Sequence, residues 1–73
     1  MSQVQSVIFD KRLNTKEYVR DWIKHYNFTT AYGIDSKQSK NFHRVRQFPP
    51  TPGARYITKN IDPLRNIDLI LEF

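Results

Sequence analysis

Between residues 14 and 27 the chain carries the one stretch whose apolar side chains recur at helical spacing. Tyr18, Val19, Trp22, Ile23 and Tyr26 fall on a single stripe, while Arg20, Asp21 and Lys24 lie away from it. Asn14 followed three residues later by Glu17 reads as a reciprocal capping box, and Leu13 and Tyr18 sit where a hydrophobic staple closes. The pattern predicts an amphipathic helix over about residues 14–27, with Asp21 able to pair on its surface with Lys24 or His25. A lone helix cannot bury such a stripe against itself. At 73 residues there is room for one domain and no more, so the cover must come from the rest of the same small fold.

The rest reads as strands. VQSVIF (residues 4–9) and RYITKNI (55–61) are rich in β-branched and aromatic residues. NFTTAYG (27–33) suits a short strand ending at Gly33, followed by a polar, aperiodic loop, IDSKQSKN (34–41). FHRVRQF (42–48) is a further strand, able to form a hairpin with the segment before it. Pro49, Pro50 and Pro52 end it, because proline cannot donate to a ladder, and their segment is extended and crosses the surface. In IDLILEF (67–73), Ile67, Leu69, Leu71 and Phe73 alternate with Asp68, Ile70 and Glu72, the mark of a half-buried strand. The expected fold is a single α+β domain over residues 1–73, a two-layer sandwich in the order β-α-β-β-β-β. One helix packs on a mostly antiparallel sheet of four to five strands, and the other sheet face is wet.

The formal charge is +5, and it is unevenly placed. Residues 37–59 hold Lys37, Lys40, Arg44, Arg46, Arg55 and Lys59 and no acidic residue, whereas residues 60–73 hold Arg65 against Asp62, Asp68 and Glu72. A basic middle of this kind attracts anionic partners, nucleic acid above all. Strand alternation sets Phe42, Arg44, Arg46 and Phe48 on one face, the two arginines about 6.5–7 Å apart, a spacing comparable to that of neighbouring phosphates. Phe42 and Phe48 would then stack bases. Two structural readings compete: both rings buried under the helix with a bulge freeing the arginines, or rings at the sheet's ends with arginine stems lying between them. The candidate nucleic-acid-binding set is Arg44, Arg46, Arg55, Lys59, Phe42 and Phe48, with Lys37 and Lys40 on a mobile loop.

Catalysis has little to stand on. There is no cysteine, His25 and His43 are the only histidines, and no serine sits in a nucleophile elbow. The seven carboxylates show no metal-ligand spacing, and two glycines, Gly33 and Gly53, cannot make a glycine-rich phosphate loop. No enzyme activity, metal or cofactor is expected. The apolar run Val7-Ile8-Phe9 is too short for a signal peptide or a membrane helix. A soluble intracellular protein without a membrane partner is therefore expected, binding DNA or RNA. The alternative is a protein-interaction module that pairs with itself or another protein through the terminal strand Ile67–Phe73 as a sheet edge.

The order of these features resembles a small domain met in proteins of large DNA viruses and tailed phages, there sometimes joined to head-maturation or capsid-associated proteins. The matching residues are Val7-Ile8-Phe9, Trp22-Ile23-Lys24, Phe28, His43-Arg44-Val45-Arg46-Gln47, Thr58-Lys59-Asn60-Ile61 and Ile67 through Leu71. The resemblance spans residue 6 to residue 73, and its distinctive part is the Arg-x-Arg-Gln strand downstream of the tryptophan. Where that family often has a glycine before the last strand, this chain has Arg65-Asn66, and it adds the proline-rich insertion at 49–52. The resemblance implies a viral origin, a non-catalytic role near genome or capsid, and a place in or beside the virion with a viral structural protein as a further partner.

Overall fold

Apolar residues at alternating positions on four extended segments, and at helical spacing on one, leave a single economical arrangement: a sheet with a helix laid on it. The computed structural model describes residues 2–73 and has that form. The elements are β1 (Gln3–Asp10), α1 (Lys16–His25), β2 (Phe42–Arg46), β3 (Tyr56–Asp62) and β4 (Ile67–Glu72). All neighbouring strands are antiparallel, and the sheet order is β2-β1-β4-β3. Val7 and Phe9 of β1, Val45 of β2, and Ile67 of β4 meet Val19 and Ile23 of α1 in the dry core. Tyr18, Trp22, Phe28 and Leu69 pack around it. Among the described residues no helix is long and apolar enough to cross a membrane.

The helix starts one residue later than its capping pattern suggests. Thr15 is the N-cap, and its Oγ1 accepts from Tyr18 N at 3.1 Å. Asn14 is instead buried, donating through Nδ2 to Asp10 O at 3.0 Å and Arg65 O at 2.8 Å, which ties the helix entry to the β3–β4 turn. The register shift also removes the staple. Leu13 is exposed, and Tyr18 lies under the Arg65 guanidinium, 3.8 Å from the ring centroid. The expected Asp21 pairs do not form; among the described residues the ion pair is Arg12–Asp10, at 3.0 Å.

The expected strand over residues 27–33 does not form, and the helix end explains why. Asn27 adopts φ 61°, Phe28 N donates to Ile23 O at 2.9 Å, and Asn27 N donates to Lys24 O at 3.1 Å. That is the double hydrogen bond of a Schellman ending, and its usual apolar contact is present as Phe28 stacked parallel to Trp22 at 5.8 Å. Phe28 is thus used to close the helix. Beyond it, Gln47 stands in for a strand neighbour: its Oε1 accepts from Thr29 N (2.8 Å) and its Nε2 donates to Thr29 O (3.0 Å). The expected hairpin with FHRVRQF is therefore absent; β2 pairs with β1.

Two further differences matter for function. The terminal strand β4 lies inside the sheet between β1 and β3, so Ile67–Phe73 is not the edge; β2 and β3 are. Reaching β3 from β2 requires crossing the end of the sheet, which the proline-rich segment does, held by Thr51 N to Glu72 Oε1 at 3.1 Å. The β3–β4 turn needs one left-handed residue, and Asn66 supplies it at φ 50°; asparagine tolerates that region better than most residues.

Candidate nucleic-acid interface

A single helix leaves one whole sheet face uncovered, and the pairing register determines which side chains occupy it. Arg44 stands opposite Ile8, and Arg46 opposite Ser6. Ile8 and Ser6 face Asp68 and Ile70 on their other side, and these face Asn60 and Thr58. Two rows therefore run across the face: Arg46–Ser6–Ile70–Thr58 and Arg44–Ile8–Asp68–Asn60. Ile8 is buried beneath this surface although it points away from the helix. A bulge between Val4 and Ser6 turns both Gln5 and Ser6 outward, where Ser6 Oγ donates to Gln5 Oε1 at 2.5 Å.

Along the first row lies a cleft of about 340 Å³ lined by Gln5, Arg44, Arg46, Pro50, Tyr56, Thr58 and Ile70. The arginines form one wall, Tyr56 and Thr58 the other, and Pro50 of the crossing segment closes one end. Tyr56 is held by its hydroxyl, which donates to Glu72 Oε1 at 2.9 Å. Burial pushes the Tyr56 phenol up, as does that bond, so the hydroxyl stays protonated. Burial also raises the Glu72 carboxyl, but bonds from Thr51 and Tyr56 outweigh it and hold the group below its usual value.

The electrostatics give the face a direction. Asp68 and Glu72 place negative charge on β4, whereas Arg44 and Arg46 place positive charge on β2. Beside β2 runs the 34–41 loop, which is tied to the strand and to Lys11 by hydrogen bonds. Asp35 pairs with Arg44 through two main-chain bonds of 2.8 Å, and Lys11 Nζ donates to Ser36 O (2.5 Å) and Ser39 O (2.8 Å). Asp35 Oδ1 also accepts from Lys37 N and Gln38 N; those bonds first, then the charges of Arg46 and Arg44, keep its carboxyl below the usual range. Arg46 Nη2 reaches Gln38 Oε1 at 3.3 Å. The loop thus presents exposed Lys37 and Lys40 next to the arginine strand.

The residues singled out in the sequence divide into two groups. Arg44, Arg46 and Phe42 share the open face, with Lys37 and Lys40 at its margin. Phe42 is half-buried in a recess with Asp10, Arg12, Asn41 and Asn66. Phe48 lies past the end of β2, half-buried, its carbonyl accepting from Gln5 Nε2 at 2.8 Å, so it does not frame the arginines as a strand residue would. Lys59 points to the helix side of β3, opposite Leu69, and Arg55 precedes that strand in the same alternation. Neither joins the arginine pair. Tyr56, Thr58 and Pro50 are the members sequence reasoning missed. The alternation of RYITKNI groups Tyr56 with Thr58, but only the pairing with β4 places them across from Arg46.

His43 points to the core side, opposite Phe9, and shares a 2.7 Å hydrogen bond with Ser36 Oγ through Nδ1. Burial lowers its pKa, so it is neutral at pH 7. Among the described residues no three His, Asp or Glu side chains come together as metal ligands do. No protein-family model, no curated protein and no solved structure matches the chain.

Proposed function

We propose that this domain is a small, non-catalytic accessory module that holds single-stranded nucleic acid on its uncovered sheet face. The phosphate backbone runs along β2, contacted by Arg44 and Arg46 and flanked by Lys37 and Lys40. One base enters the cleft against Tyr56, with the Thr58 hydroxyl and the Gln5 amide in reach of its edge. Phe42 offers a second aromatic surface farther along the strand. The observation that carries this reading is the Arg44–Arg46 pair facing Tyr56 and Thr58 across a cleft on the sheet face opposite the helix. A basic strand beside an aromatic platform is the arrangement that single-strand binders use, since every base has a face to stack and every linkage a charge. An unpaired strand suits the cleft better than a duplex, whose bases are already stacked. The proposal includes the viral, virion-associated setting implied by the resemblance.

Fluorescence anisotropy of labelled single- and double-stranded oligonucleotides at two salt concentrations tests it. Four phosphate contacts on a single strand give a log–log salt slope of roughly −3. Arg44→Ala/Arg46→Ala should lose most of the affinity while keeping the fold, read by Trp22 emission. Absence of binding at low salt by the native protein would exclude the proposal.

A further inference from the structure

The helix-side face of the sheet is only half roofed. An α-helix is about 10–12 Å across and strands lie about 4.8 Å apart, so one helix covers about two strands of four. The core beneath α1 is drawn chiefly from β1 and β2, with Ile67 at the end of β4. On the same face β4 and β3 present Leu69, Leu71, Ile57 and Ile61. Ile57 is 50% exposed and Ile61 39%. The inner margin of this strip is a groove of about 370 Å³ lined by Trp22, Tyr26, Phe28, Ile61, Asp62 and Leu69. A bulge between Asn60 and Asp62 turns both Ile61 and Asp62 toward it.

What fits such a strip is set by width and charge. The bare width is that of one further helix. Lys59 stands in the middle of the strip and Arg55 near one end, neither in an ion pair among the described residues; Asp62 and Asp21 mark the other end. A second strand is disfavoured, because a lysine and a bulge on an edge are the features that block edge pairing. A second copy is disfavoured too. Two-fold packing of strip on strip sets Lys59 against Lys59, and the outer face of α1 (Lys16, Arg20 and Lys24 with Glu17 and Asp21) is polar and net positive.

We infer that the strip over β3 and β4 docks an amphipathic helix of a partner protein, apolar on the buried side and acidic along the flank that meets Lys59 and Arg55. The partner's apolar side chains enter the groove beside Trp22 and cover Ile57 and Ile61, and the sheet acquires the second roof it lacks. This site lies on the face opposite Arg44 and Arg46, so nucleic acid and the partner helix can be held together.

Trp22 is the only tryptophan, which makes the test direct. A helical peptide with a leucine stripe flanked by glutamates is titrated against the native protein, following Trp22 emission, beside an isomer carrying lysines in place of the glutamates. The glutamate peptide should bind and shift the emission, and the lysine peptide should bind at least tenfold more weakly. Lys59→Glu should reverse that preference, and Ile57→Ser should remove binding of either; both positions are exposed, and circular dichroism checks that the variants fold. Equal binding of the two peptides, unchanged by Lys59→Glu, would overturn the inference, as would no binding of either. Sedimentation showing a dimer that Ile57→Ser dissociates would assign the strip to a second copy and overturn it equally.

Discussion

The strand β2 contributes to both faces of the sheet, and the two faces make opposite demands on it. His43 and Val45 point to the helix side, where Val45 meets Val7 across the pair and is fully buried. Arg44 and Arg46 point the other way, where Arg44 is exposed and Arg46 half-buried. Side chains on the first face are constrained by volume, since the dry core is built from six residues and any cavity left there is hard to collapse. Those on the second are constrained by charge and reach, and their removal leaves water behind. The lesson is that adjacent residues in one strand should separate cleanly into those that carry stability and those that carry binding.

The largest effect should come from the buried face. Phe9→Ala removes a fully buried ring that packs edge-on against Trp22 at 5.3 Å. It should cost about 3–5 kcal/mol, enough to leave much of so small a domain unfolded. Urea unfolding followed by Trp22 emission measures this. Next comes the open face. Arg44→Ala/Arg46→Ala should weaken single-strand binding by tenfold or more, about 1.4 kcal/mol or above, while the urea midpoint stays put. A parallel loss of stability in that variant would break the separation of the two faces.

A smaller effect sharpens where the helix begins. Thr15→Ala should lower stability by about 1 kcal/mol through loss of the cap to Tyr18 N. If Asn14 were the cap instead, Thr15→Ala would have almost no effect. The smallest effect is a pH dependence on the buried face. Burial holds the folded His43 pKa below the ordinary 6.5, so the unfolded chain takes up the proton first. The contribution is complete above pH 6.5 and is lost as pH falls from there toward the folded value. His43→Gln should therefore flatten the stability profile in that window, and a profile unchanged from the native one would place the titrating group elsewhere.

Much of the architecture was legible in local pattern. The stripe through Trp22 and Ile23, the alternation of Ile67 through Leu71, and the proline stop after β2 each state their element without outside help. The α+β sandwich with a bare face follows from them by economy of burial. The failures share a cause. Asn14 satisfies the rules for a cap, yet its amide is captured by Asp10 O and Arg65 O, the latter 51 residues away. Phe28 satisfies the rules for a strand, yet Trp22 takes it to close the helix. Ile67–Phe73 looks like an edge because it comes last, but sheet order is not chain order.

That Arg44, Arg46 and Phe42 share a face was readable because a strand's period of two is a local property. Lys59 and Arg55 were grouped with them by nearness in sequence, and the sheet places them on the opposite face and the opposite edge. Tyr56 and Thr58 became partners of the arginines only through β4. Local pattern, then, settles the kind of each element, which of its side chains share a side, and where charge accumulates along the chain. The order of strands, the identity of the two edges and the residues that face one another across the cleft come from long-range packing. Periodicity and capping act over a few residues, whereas register and neighbour are settled by which apolar faces can be buried together.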